Sequence, residues 1–155
     1  MISDYQQAIE QLSTKAKSTA DVKLTKSCVS LSNLLLAIEE KEVEFSELTE
    51  EINRLERLLS GDTKANQLRA LYTDITKKML KEYKYVTPRY YTSLWMVLGM
   101  TIFGVPFGVI FGAALDNMAF LSIGMPIGMP IGMAIGAGKD KQAENEGKVL
   151  NINRS

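Results

Sequence analysis

The chain has 155 residues, with 18 Lys+Arg balanced by 18 Asp+Glu, no histidine and one cysteine, Cys28. These counts exclude an intramolecular disulfide framework and a zinc site of the usual Cys/His kind. Neither a phosphate-cradling GxxxxGK[ST] nor a Ser/Cys–His pair can be assembled, so a non-enzymatic protein without cofactor or metal is expected.

The zero net charge hides a division. Residues 1–89 hold 14 basic and 14 acidic side chains, whereas residues 90–138 hold one ionisable carboxylate, Asp116, and no Lys or Arg. Met1–Gln11 lacks a positively charged start followed by an apolar core, so the first apolar span is expected to direct insertion by itself.

From Ile2 to about Lys17, the apolar residues Ile2, Tyr5, Ile9, Leu12 and Ala16 recur every three or four positions, predicting an amphipathic helix. Thr19 or Asp21 can cap the helix that follows. A second helix is predicted from about Lys23 to Leu59. Leu31, Leu35 and Ile38, then Phe45, Leu48, Ile52, Leu55 and Leu59, step as a coiled-coil seam. Cys28 reads as a small buried residue on it. Its outer face is acidic (Glu39, Glu40, Glu42, Glu44, Glu47, Glu50 and Glu51), so residues 31–59 offer either a solvated face or a docking face for a protein partner.

Ser60-Gly61-Asp62 marks a break, with Gly61 in the left-handed conformation and Asp62 capping the next helix. That third helix, about Thr63 to Tyr85, carries Leu68, Leu71, Ile75, Met79 and Tyr83 on one face and is expected to return antiparallel to the second. Pro88 then separates a helical, coiled-coil region (1–87) from an apolar one.

Residues 88–138 read as a transmembrane helical hairpin turning at Asp116–Asn117, with arms of roughly Leu94–Leu115 and Met118–Gly138. Each arm, at about 1.5 Å per residue, covers a ~30 Å hydrocarbon core. Residues 139–155 read as a polar tail. Lys77, Lys78, Lys81, Lys84 and Arg89 precede the first arm, Lys139 and Lys141 follow the second, and Tyr90, Tyr91 and Trp95 supply an aromatic belt. Basic and aromatic residues beside an apolar span point to a lipid interface rather than to nucleic acid. The positive-inside rule puts both termini in the cytoplasm and the tip outside, in a plasma membrane or a bacterial inner membrane.

Glycines recur every four positions in both arms: Gly104, Gly108 and Gly112, then Gly124, Gly128, Gly132 and Gly136. Such rows make bare grooves on which backbones can touch. Pro106, Pro126 and Pro130 lie away from the glycine lines, and the last two are expected to bend the second arm around Ser122–Pro126. Met96, Met100, Met118, Met125, Met129 and Met133 read as fillers beside the glycines. The tandem GxxxG rows, the Asp-Asn turn and the short charged tail resemble bacterial glycine-zipper membrane proteins over about residues 95–140. That resemblance implies homo-oligomeric self-assembly, in a group that includes channels, pore-forming toxins and envelope proteins.

Two functions then compete. A gated channel or membrane-perturbing pore would place Asp116 and Asn117 at its outer mouth, with only Ser93, Thr101 and Ser122 as polar residues for a water path. A membrane-anchored scaffold would use the hairpin as anchor and the acidic helix as a partner surface.

Overall fold

A computed structural model describes residues 4–117, 119 and 121–152. Every regular element among them is helical, and they divide into two compact units. One unit runs to Thr87 and takes in the chain again from Leu150; the other is Pro88–Val149. We call them the head and the hairpin unit.

In the head, α1 (Tyr5–Ser18) starts at Asp4, whose carboxylate accepts the Gln7 amide proton at 2.7 Å, and α2 (Val22–Glu39) starts at Asp21, which accepts from Lys23 at 2.8 Å. Carboxylates at both N-caps satisfy donors that a helix leaves unpaired. A 3-10 turn, Phe45–Leu48, leads into α3 (Thr49–Leu59), and α4 is Ala65–Lys78, continued by a π-helical turn, Met79–Tyr83. Helix α1 packs on α2 and α3, and α4 packs on the same two, so the helices ring one core. Leu12, Leu31, Leu34, Leu35, Ile38, Leu48, Leu55, Leu68, Leu71 and Ile75 are fully buried there. Each such side chain contributes on the order of 1.5–3 kcal/mol relative to exposure.

Several expectations change here. The helix predicted from Lys23 to Leu59 stops at Glu39, because the chain turns through Glu40–Glu44 with Glu42 at φ 56°. Tertiary contacts outweigh helical continuity at that point. The Tyr5 hydroxyl donates to the Val43 carbonyl at 3.0 Å, and the Tyr5 ring meets Phe45 edge-on at 5.1 Å. Leu48, Ile52 and Leu55 therefore fill the head's own core instead of offering a coiled-coil seam. The break after Leu59 is present but built differently. Gly61 is not left-handed and Asp62 does not cap α4. The Thr63 hydroxyl instead closes α3 by donating to Leu58 O at 2.6 Å, and the Gln67 side chain accepts from the Lys64 amide at 3.0 Å. Ile2 lies outside the described residues.

The polar tail is also not a tail. Helix α7 (Leu121–Asn145) runs on past Gly138, Gly147 turns the chain at φ 67°, and Leu150 returns to the head. There Leu150 is completely buried, its amide donates to Val86 O at 2.9 Å, and Ile152 packs on the same core.

In the hairpin unit, α5 (Tyr90–Gly99), a π-helical stretch (Met100–Gly104) and α6 (Val105–Ala114) form one rod that packs along α7. The rod begins four residues before the expected Leu94. Helix α7 runs through Pro126 and Pro130 without a break, both prolines being exposed and away from the packed glycine face. The irregularity expected in the second arm sits in the first. Met118, which was to open the second arm, lies outside the described residues.

Candidate membrane hairpin

Eight glycines are buried in the hairpin unit: Gly99, Gly104, Gly108 and Gly112 on the rod, and Gly124, Gly128, Gly132 and Gly136 on α7. They face each other in antiparallel order. A Cβ built on Gly124 would fall 2.5 Å from the Gly108 amide nitrogen, one on Gly128 2.5 Å from that of Gly104, and one on Gly99 2.7 Å from the Gly132 Cα. At the far end a Cβ on Gly136 would fall 2.5 Å from the Thr92 Cα. Backbones this close leave no room for any side chain, which is the reason the sequence spends glycine there. Both grooves are thus filled by each other within one chain.

Gly99 was not legible as part of a ladder, because it stands five residues before Gly104. In an α-helix five residues advance ~500°, leaving Gly99 about 140° off the glycine line. The π-helical stretch absorbs the extra residue: the Val105 amide reaches back to Met100 O, five positions away. Gly99 thereby joins the packed face.

The outer surface is the reverse of a soluble protein's. Val97, Ile102, Val105, Val109, Ile110, Phe111, Ile123 and Ile127 are exposed. Tyr90–Ala114 is the stretch among the described residues that is long and apolar enough to cross a membrane. Its 25 residues reach about 37 Å, beyond the ~30 Å of a hydrocarbon core. Helix α7 carries no Asp, Glu, Lys or Arg before Lys139.

The closed end turns at Asp116, which is left-handed at φ 49°. The Asn117 amide donates back to Gly112 O at 3.0 Å, and its side-chain oxygen accepts from the Ala119 amide at 3.0 Å. Both residues are exposed. At the open end the Asp140 carboxylate accepts from the amides of Tyr91 at 2.9 Å and Thr92 at 2.8 Å, so α7 caps the N-terminus of α5. Periodicity gives no hint of this cap, since its partners are 48 and 49 residues away. The Lys139 ammonium lies 5.7 Å from the centre of the Trp95 ring, and Tyr90 and Tyr91 meet edge-on at 5.2 Å. Arg89, left-handed at φ 60°, and Lys141 are exposed.

The basic residues of the head divide. Lys77, Lys81 and Lys84 are exposed, but Lys78 is committed to packing, donating to Glu47 O at 2.5 Å and pairing with Glu51 at 3.2 Å. Lys78 is thus a clamp between α4 and α3, not a lipid contact. Among the acidic residues of 31–59, Glu39 accepts from Gln6 at 2.7 Å, while Glu42, Glu44 and Glu50 are exposed. Burial holds the Cys28 thiol above its usual range, so it stays a protonated core residue. No group of His, Cys, Asp or Glu among the described residues could hold a metal ion. Compared with known proteins, the chain matches no family model, no curated protein and no solved structure.

Proposed function

We propose that Pro88–Val149 is a two-span membrane anchor and that the helical head is the working part, held at the cytoplasmic face. One observation carries the reading: Leu150 is completely buried in the head's core. The chain leaves the head at Thr87 and rejoins it at Leu150, so it must return to the side of the membrane from which it set out. With Tyr90–Ala114 as one crossing, α7 supplies the other, being free of charged side chains up to Lys139. The glycine packing supports this, because it gives α7 a partner along its length and keeps both prolines off the contact. The cytoplasmic placement rests on the basic residues at the open end and their absence at the tip.

The anchor reading is favoured over a pore. A conducting path needs polar side chains facing a common axis. The large outward side chains are apolar, and the Thr101 and Ser122 hydroxyls are taken up by nearby carbonyls, at Leu98 and Ala119. Assembly through the glycines would also require opening a hairpin whose two grooves already fill one another. The scaffold function then falls to the head, whose exposed glutamates around α3 suit a basic partner protein.

The test is accessibility of single cysteines in a Cys28→Ser background. Asn117→Cys is expected to react with a membrane-impermeant thiol reagent from outside intact cells, and Asp62→Cys only after permeabilisation. Reaction of both from the same side would overturn the two-span anchor; the inverted pattern would overturn its orientation.

A further inference from the structure

The open end of the hairpin places three exposed cations, Arg89, Lys139 and Lys141, around the starts and ends of the two arms, level with an aromatic belt. The sequence would partly cancel this charge, since Asp140 stands between the two lysines. The fold removes that cancellation. Asp140 is drawn inward, half-buried, and its two oxygens are taken by the Tyr91 and Thr92 amides. Its negative charge is therefore directed at the partial positive end of α5. Of the remaining acids of the unit, only Glu144, three residues past Lys141 on α7, neighbours a collar cation. Asp116 is at the opposite end of the hairpin, Glu144 lies about a turn beyond Asp140, and Glu146 is engaged by Lys148 at 2.6 Å and by Gln142 at 2.9 Å. Lys139 is fixed in depth by its seat on Trp95, the residue type that settles at the headgroup boundary.

We propose that Arg89, Lys139 and Lys141 form a collar that selects anionic lipid headgroups around the anchor, with Asp140 turned inward so that the collar presents net positive charge. This rests on the membrane reading above. The occupant is a lipid phosphate and not a soluble anion, because the collar adjoins the exposed apolar side chains of the rod and the Trp95 ring. Arg89 and the lysines supply donors for phosphate oxygens at the level where those oxygens lie.

Trp95 is the sole tryptophan of the chain, and it lies in the collar. Its fluorescence can therefore report the lipids beside it. The full-length protein would be reconstituted in phosphatidylcholine vesicles containing a fixed fraction of brominated phosphatidylglycerol or, separately, brominated phosphatidylcholine. Brominated phosphatidylglycerol is expected to quench as if enriched several-fold around Trp95, on the order of five-fold, the effect of about one Lys or Arg near an anionic surface. The preference should shrink at 0.5 M salt. The Arg89→Gln/Lys139→Gln/Lys141→Gln variant should be quenched equally by both lipids, and Lys23→Gln/Lys26→Gln, at two exposed lysines of α2, should keep the wild-type preference. Equal quenching of the wild type by both lipids would overturn the collar while leaving the anchor intact. Quenching by neither would overturn the anchor itself, and the collar with it.

Discussion

Glycine at positions 99, 104, 124, 128, 132 and 136 is an exclusion rule more than a preference, since each hypothetical Cβ meets backbone from the opposite helix. Backbone cannot swing aside as a flexible side chain can, so even one methyl group forces the helices apart. Gly128→Leu is expected to separate the arms, whereas Ile127→Leu, at a position 39% exposed on the outer side of the hairpin, conserves volume and leaves them together. Spin labels at Leu94 and Ile135 would read this as a longer, broader distance distribution in the first variant only. A second residue-scale prediction concerns Tyr5. Burial first, then the charges of Tyr83, Glu39 and Glu47, push its hydroxyl from 10.0 up to about 12. A phenol whose folded pKa is raised favours the folded state fully below pH ~10 and loses that contribution as pH climbs toward 12. The wild type should therefore lose stability relative to Tyr5→Phe between about pH 10 and 12, measured as the shift of denaturant midpoint with pH. A constant difference across that window would refute the assignment.

Among the elements, what could be read from sequence was whatever local chemistry decides. Asp21 caps α2, a break follows Leu59, and an Asp-Asn turn separates two glycine-bearing helices. What could not be read depends on partners distant in the chain. Glu40–Glu44 contains neither Gly nor Pro, yet it turns because Val43, Phe45 and Leu48 are worth more against α1 and the core than a continuous helix. Gly61 promised a left-handed residue that Gly147, with no periodic pattern around it, supplies elsewhere. The π-helical stretch was hidden for the opposite reason: Met100–Gly104 breaks the four-residue spacing of the glycines in order to preserve the packed face. This yields an unusual prediction. Deleting Ile102 shortens the interval from Gly99 to Gly104 to four residues, so an ordinary α-turn keeps Gly99 in line. Deleting Val109 instead rotates Gly112 about 100° away from α7. The spin-label distance should survive the first deletion far better than the second, and equal damage from both would show that the stretch is not a register device.

For the molecule as a whole, the consequential feature is the return of Leu150 to the core. Synthesis delivers α1 to α4 first, both arms next, and Leu150 only afterwards. At ~5–20 residues per second, the sixty-odd residues in between take roughly 3–12 s to appear. During that interval the head holds a vacancy where a fully buried leucine belongs, and Val86 O waits for its donor. Completion of the head thus comes after both arms have been made, and, on the anchor reading, after they have had their opportunity to enter the bilayer. A chain whose arms fail to come back delivers no leucine, and its head stays open to proteases. If the hairpin unit is the anchor proposed above, Leu150 and Ile152 act as an inspection seal, closing the head only when the two arms have been made and brought home.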